Sequence, residues 1–302
     1  MSPRQLVFAM MADEGELEKE TLILSRSIRA FAGNFCSNPI WILFPDEFSH
    51  LSQSLLKEYE QLEIQLIPFS IDRAVLKFPY AAKIFAASLA EDLAFNHFER
   101  LAWFDATSIL IQQPDPLIIP NNISLGYRPV DHTLIGSLYH EPLDAFWNNI
   151  YQACGVSQEF LFPMPTMADL NIIRPYFNAG FLVIRPEAAL LHKSMENFKM
   201  HYRKKIFQDF FYQDERYKIF FHQAILSGTI LSSLAPEEMV MLKNTINYLL
   251  HMHFEIPQDR RTNTMNDLTS GRYCMSYNPN WLGSIPVEEP LKSWLYKQSG
   301  LV

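Results

Sequence analysis

Arg100-Leu101-Ala102-Trp103-Phe104-Asp105 is an apolar run that ends abruptly on a carboxylate. Four apolar residues in succession, without alternation, suit a short strand buried on both faces, as in parallel sheets. Two further runs of this kind lie upstream, Leu6-Val7-Phe8-Ala9-Met10 and Pro39-Ile40-Trp41-Ile42-Leu43-Phe44-Pro45. Between the first two, Leu17, Thr21, Leu24, Ile28 and Phe31 recur at helical spacing, with Gly33 as a stop. A helix over residues 47–59 and a strand over 62–67 come next, followed by a helix with Ala82, Phe85, Ala86, Leu89 and Leu93 on one stripe. This β-α-β-α-β-α-β order predicts an α/β fold, a mostly parallel central sheet flanked by helices. Ligands of such sheets bind at the carboxyl ends of the strands, and Asp105 stands at one of them.

Beyond Pro120 the pattern is mixed. It predicts strands over 123–127 and 180–184, a loop over 171–177, and helices over 143–153, 187–207 and 217–226. From about Pro236 the chain is rich in Asn, Pro and aromatic residues and resists reading. We therefore divide it into a domain over residues 1–235 and a less regular C-terminal extension, 236–302, packed on the same domain.

Composition narrows the function classes. With 25 Lys and Arg against 33 Asp and Glu the formal charge is −8, which argues against nucleic acid as a partner, since phosphate binding relies on basic patches. No apolar stretch is long enough for a membrane span, and acidic residues end the N-terminal apolar run too early for a secretory signal. Three scattered cysteines with no CxxC pair suit reduced thiols and a cytoplasmic protein. No glycine pair forms a GxG, so neither a dinucleotide fingerprint nor a P-loop is present.

Three segments taken in order resemble the GT-A glycosyltransferases, nearest the retaining glycogenin-like and lipopolysaccharide galactosyltransferase-like enzymes. They are Lys83 through Asp105-Ala106-Thr107, then Phe177-Asn178-Ala179-Gly180 with its following strand, then His222-Gln223-Ala224-Ile225-Leu226. The likeness covers roughly residues 4 to 235. It implies a GT-A-like sheet and transfer of a sugar from a nucleotide-diphosphate donor to a carbohydrate, lipid or protein acceptor, with retention. The alternative is a non-catalytic sugar-nucleotide-binding or interaction protein with a degenerate metal motif. A nucleotidyltransferase, a further rival, would carry a glycine-rich basic loop after the first strand, which Met10 to Gly15 does not supply.

The resemblance also implies roles. An Asp-x-Asp motif in that family holds Mn²⁺ or Mg²⁺ against the donor diphosphate; here Asp105 survives and Thr107 replaces the second carboxylate. Asp105 either joins such a site or caps the next turn. His251 and His253, two apart, would share a face of an extended segment and a metal ion, or else are ordinary surface or core-edge histidines. Asn178, Ala179 and Gly180 either face the donor sugar or form a turn. His222 stands where the family has Asp; with Gln223 and Asn178 it completes the expected catalytic set, Gln223 keeping a donor and an acceptor for sugar hydroxyls. Met10, Met11 and Asp13 end the first strand, where the base and ribose would bind, although Asp13 equally suits a helix cap. Lys83 joins the donor set. Independently of the resemblance, Arg128, Asp131 and His132, with Tyr139, His140 and Trp147, bring together the charged and aromatic side chains of an acceptor or sugar platform, or Arg128 and Asp131 simply pair within a loop.

Overall fold

A computed structural model describes residues 4–12, 16–46 and 52–298. The first half alternates as the apolar runs predict: β1 (Val7–Met11), α1 (Glu16–Phe31), β2 (Ile40–Pro45), α2 (Gln53–Gln61), β3 (Ile64–Phe69), α3 (Arg73–Leu76), α4 (Ala81–Ala94), β4 (Leu101–Phe104) and β5 (Ser108–Leu110). The second half supplies β6 (Leu125–Pro129), α5 (Ala145–Cys154), β7 (Met164–Pro165), β8 (Ile172–Ile173), β9 (Phe177–Ile184), α6 (Leu190–His201), α7 (Lys205–Gln213) and α8 (Glu215–Ser233). The chain then runs through β10 (Met239–Met241), β11 (Tyr248–Leu249), β12 (Ser270–Arg272) and α9 (Leu291–Gln298). Among the described residues, no helix is long and apolar enough to cross a membrane.

A seven-stranded sheet in the order β10-β6-β9-β4-β1-β2-β3 forms the centre. It is mostly parallel: β1 pairs parallel with both β2 and β4, and β2 with β3. Strand β9 runs antiparallel between β4 and β6. Successive side chains of β1 and β4 enter opposite layers, as strand geometry requires. Val7, Ala9, Leu101 and Trp103 pack with α4, α6 and α8, whereas Phe8, Met10, Ala102 and Phe104 pack with α1 and α2. The sheet order reverses between β1 and β4, so their carboxyl ends open a crevice at a switch point.

Four expectations need correction. Of the stripe expected on α4, Ala82, Phe85, Ala86 and Leu89 face the core but Leu93 is exposed, and Ala90 and Ala94 complete the buried face, because small side chains let the helix lie close to the sheet and to α6. The helix foreseen over 187–207 is two, α6 and α7, with a turn between them. The break lets Phe198 and Tyr202 from one, and Phe211 from the other, meet Phe78 edge-on at 5.3–5.7 Å. Strand β9 begins at Phe177, so Asn178-Ala179-Gly180 lies inside a fully buried strand, not in a loop or turn. The strand expected over 123–127 is present as β6 but runs on to Pro129, so Arg128 stands within a strand paired on both edges, by β10 and β9, and not in a loop. The helix expected over 47–59 begins among residues outside those described.

The C-terminal segment is woven into the rest. Strand β10 extends the central sheet parallel to β6. Strand β12 pairs antiparallel with β5 and parallel with β11. Their core holds Tyr248, Tyr273 and Trp281 with Ile23 of α1 and Ile109 of β5.

Candidate functional site

Asp105 follows β4 directly, and its backbone N–H donates to the Gly180 carbonyl of neighbouring β9 at 2.7 Å. That pairing sets the carboxylate against Gly180, where a side-chain Cβ would collide with Asp105 Oδ2. Glycine is required here for close approach. Lys83, in the first turn of α4, forms an ion pair with Asp105 Oδ1. On the other side, Arg272 Nη1 of β12 lies 3.7 Å from Asp105 Oδ2, and its Nη2 lies 3.6 Å from Asp131 Oδ2. Burial pushes the Asp105 carboxyl up, but Lys83 and Arg272 outweigh it and hold the group below the usual carboxylate range. At Asp131 burial dominates and raises the carboxyl, with Arg272 and Arg128 opposing.

A chain of polar contacts leads away from these carboxylates. Asn178 Nδ2 donates to Asp131 Oδ2 at 3.3 Å, while Asn178 Oδ1 accepts the Gly180 N–H at 2.8 Å. Gln223, on α8, accepts the Ala179 N–H through Oε1 at 2.9 Å. Its neighbour His222 donates from Nδ1 to the Ile219 carbonyl at 2.9 Å, and its ring lies 4.6 Å from that of Tyr80. Burial, reinforced by nearby Lys83, pushes the His222 imidazole down to about 3, so it is neutral. Two of the cavities that flank the group open onto its carboxylates. One, of about 280 Å³, is lined by Met11, Tyr80, Lys83, Asp105 and Ala106 among others. The other, of about 90 Å³, is lined by Asp131, His132, Asn178, Gln223 and Arg272.

The structure therefore gathers Met11, Lys83, Asp105, Asp131, His132, Asn178, Ala179, Gly180, His222 and Gln223 around one crevice. Other candidates fall elsewhere. Met10 is fully buried beneath α1, because strand alternation turns it away from Met11. Arg128 is buried and donates to the Leu242 carbonyl, so it holds the C-terminal segment and offers no acceptor platform. Trp147 is core, its indole N–H donating to the Ile135 carbonyl at 2.6 Å. The rings of Tyr139 and His140 pack edge to face, their centroids 5.4 Å apart, outside both cavities. Asp13 lies outside the described residues. Sequence reasoning passed over Arg272 and Tyr80. Arg272 sits in the segment that carries no readable period, and nothing short of the β12–β5 pairing brings it to Asp105.

The residues read as a metal set do not assemble into one. Residues 250–253 form a helical turn in place of an extended segment, so His251 and His253 share no face. His253 Nδ1 meets the Tyr248 hydroxyl at 2.8 Å. His251 donates from Nδ1 to the Arg272 carbonyl at 3.1 Å, which leaves Nε2 free in the manner of a ligand imidazole. The carboxylates it would join are engaged by Lys83 and Arg272, and Thr107 brings no charge. Among the described residues no three His, Cys, Asp or Glu side chains converge as a metal site. The donor set does not fit a divalent ion.

Comparison with solved structures finds the same architecture. The galactosyltransferase LgtC, in complex with donor and acceptor sugar analogues, aligns over 98% of this chain and 94% of its own at 16% identity, with a TM-score of 0.52. An active-site mutant of LgtC aligns over the same shares at 14% identity and a TM-score of 0.53. The bifunctional glycosyltransferase WbbM aligns over 99% of this chain and 52% of its own, at 13% identity and a TM-score of 0.50. At such identities the shared feature is the fold. No curated protein matches in sequence. The Rhodobacterales glycosyltransferase domain family, however, matches residues 8–227, most of the chain and every segment that carries the resemblance. The chain belongs to that glycosyltransferase family.

Proposed function

We propose that this glycosyltransferase binds a nucleotide-diphospho-sugar across the two cavities beside Asp105, with its nucleotide in the larger and its sugar in the smaller. The observation that carries this reading is the polar line from Lys83–Asp105 to Asp131, Asn178 and Gln223, which joins the cavities at the carboxyl edge of the sheet. Met11 and Ala106 offer apolar surface to base and ribose. Asp131 and Gln223 suit sugar hydroxyls, one as a charged acceptor and the other as donor and acceptor. His132, on the rim of the smaller cavity, faces the side from which an acceptor hydroxyl enters. Gly180 holds Asp105 in place by leaving it room.

In the reaction, the bond from the anomeric carbon to the donor phosphate oxygen breaks and the electron pair stays on that oxygen. The acceptor hydroxyl oxygen bonds to the anomeric carbon and its proton passes to the departing phosphate. Retention follows from the resemblance to the retaining branch. Neutral His222 neither repels nor neutralises the donor, unlike the aspartate that the resemblance leads one to expect there. The acceptor is a hydroxyl compound, and a cytoplasmic location agrees with the reduced cysteines.

Calorimetric titration of UDP, GDP and their sugar conjugates into the full chain tests this reading. One base series should bind. Asp131→Asn should weaken the sugar nucleotide by about tenfold more than it changes the bare nucleoside diphosphate, the worth of one hydrogen bond to a charged group. Failure of every nucleotide to bind would overturn the assignment.

A further inference from the structure

Asp105 and Asp131 are two carboxylates in a crevice that the proposed function assigns to a diphosphate, itself an anion. Such a site needs positive charge, because the leaving oxygen gains negative charge as the sugar departs. Two side chains supply it. Lys83 is paired with Asp105 Oδ1, and Arg272 stands between the carboxylates, 3.7 Å from one and 3.6 Å from the other. Two cations thus balance two carboxylates, the same balance that a divalent ion would provide. A metal entering here would meet repulsion from both and would have to displace Arg272 from each carboxylate.

Arg272 is also suited to a ligand by its geometry. Its separations from the carboxylates exceed hydrogen-bonding distance, so its guanidinium N–H groups keep their capacity to donate. The side chain is one-quarter exposed and lines the smaller cavity, while its partner Asp105 lines the larger. Backbone pairing of β12 to β5, with Arg272 opposite Ser108, anchors it on a strand. A guanidinium presents a planar fork of donors that matches phosphate oxygens.

From this we infer that Arg272, together with Lys83, takes the place of a divalent metal and holds the donor diphosphate directly, so that donor binding is independent of metal. As the sugar–oxygen bond breaks and its electron pair settles on the phosphate oxygen, the guanidinium and ammonium N–H groups donate to that oxygen. No electron or proton is required from elsewhere. Asp105 is then a positioning residue, holding Lys83 and Arg272 apart at the correct spacing for the diphosphate. The inference rests on the donor reading above.

The test is calorimetry on the full chain with UDP and GDP, first in EDTA and then with Mn²⁺ or Mg²⁺. Affinity for the diphosphate should agree within about twofold across these conditions. Arg272→Gln should weaken the diphosphate by about 10- to 100-fold while leaving the corresponding nucleoside unaffected. Arg272→Lys, which keeps the charge without the fork, should fall between the two. A general loss of structure would weaken nucleoside and diphosphate alike, so the contrast between them reads the proposed contact. Diphosphate binding that demands a metal, or an Arg272→Gln variant equal to wild type, overturns the inference and leaves the donor reading standing. No binding of either nucleotide by the wild type overturns both.

Discussion

A Cβ at Gly180 would meet not only Asp105 Oδ2 but also Asn178 Oδ1, 3.0 Å away, and both belong to the candidate site. Neither is the loose end of a flexible chain, since Lys83 pairs with the other oxygen of the Asp105 carboxylate and the Gly180 N–H donates to Asn178 Oδ1. Gly180→Ala should therefore shift Asp105, weaken donor binding by about tenfold or more, and cost about 1–3 kcal/mol in stability as an overpacked strand. Gly283 is the control, because a Cβ there meets nothing within 4 Å. Titration with the bound nucleotide and urea unfolding of both variants make the comparison. Equal behaviour of the two would show that Gly180 is no close-approach position. The motif around Gly180 was legible in the sequence as residue types in order. Which carboxylate the missing side chain makes room for was not, because that contact joins β4 to a strand seventy-odd residues away.

At the scale of elements, α4 does more than line the crevice. Helix α6 begins at Leu190 after Ala189, which has a left-handed backbone and no side chain able to cap. Glu91 of α4 supplies the missing acceptors, taking the Leu190 N–H at 2.9 Å on one oxygen and the His192 N–H at 2.8 Å on the other. Glu91→Ala should leave these donors unpaired and cost about 2–4 kcal/mol, most visible as faster hydrogen exchange in α6. Exchange in α6 unchanged from wild type would show that the cap is dispensable. Sequence periodicity placed α4 and most of its buried stripe, Ala82, Phe85, Ala86 and Leu89, but took in the exposed Leu93 and passed over Ala90 and Ala94. Periodicity counts hydrophobicity; it does not see that a helix between a sheet and a second helix needs small residues for close packing. The turn between α6 and α7 was hidden for a similar reason, since both halves carry helix-forming residues and only the shared aromatic cluster around Phe78 dictates the break.

Across the whole molecule, burial of His222 links folding to pH. Its ordinary value of 6.5 is lowered to about 3 in the folded state by burial and by Lys83. Below about pH 6.5 the unfolded chain takes up a proton that the folded chain refuses, so this contribution to stability declines as pH falls toward 3. Each pH unit within that window costs up to about 1.4 kcal/mol from this one group. Thermal unfolding of wild type and His222→Gln between pH 7 and 5 should show the shallower acid-side decline in the variant. Parallel curves would mean that His222 does not carry the effect. Glu91 contributes in the opposite sense: burial raises it to about 8, so its share is present at low pH and declines as pH rises from 4.5 toward 8. The difference between wild type and variant isolates the histidine from that opposing trend.

The sequence by itself determined the sheet and the place of the crevice. Local apolar runs, helical spacing and strand order suffice for a parallel β-α-β series, whose strand ends hold the ligand wherever the fold recurs. Its resemblance to the GT-A glycosyltransferases also ordered Asp105, Asn178 and Gln223 as one set, because those residues fall in the three segments that carry the likeness. Only the tertiary structure decided what faces them. Strand β12 comes more than 160 residues after Asp105, in a segment with no period, and its pairing with β5 delivers Arg272 between two carboxylates. The same long-range packing turned Arg128 and Trp147 inward and set His251 and His253 on different partners. Electrostatic character depends on which charges meet within a few ångströms, and residues distant in sequence meet only when the chain has folded.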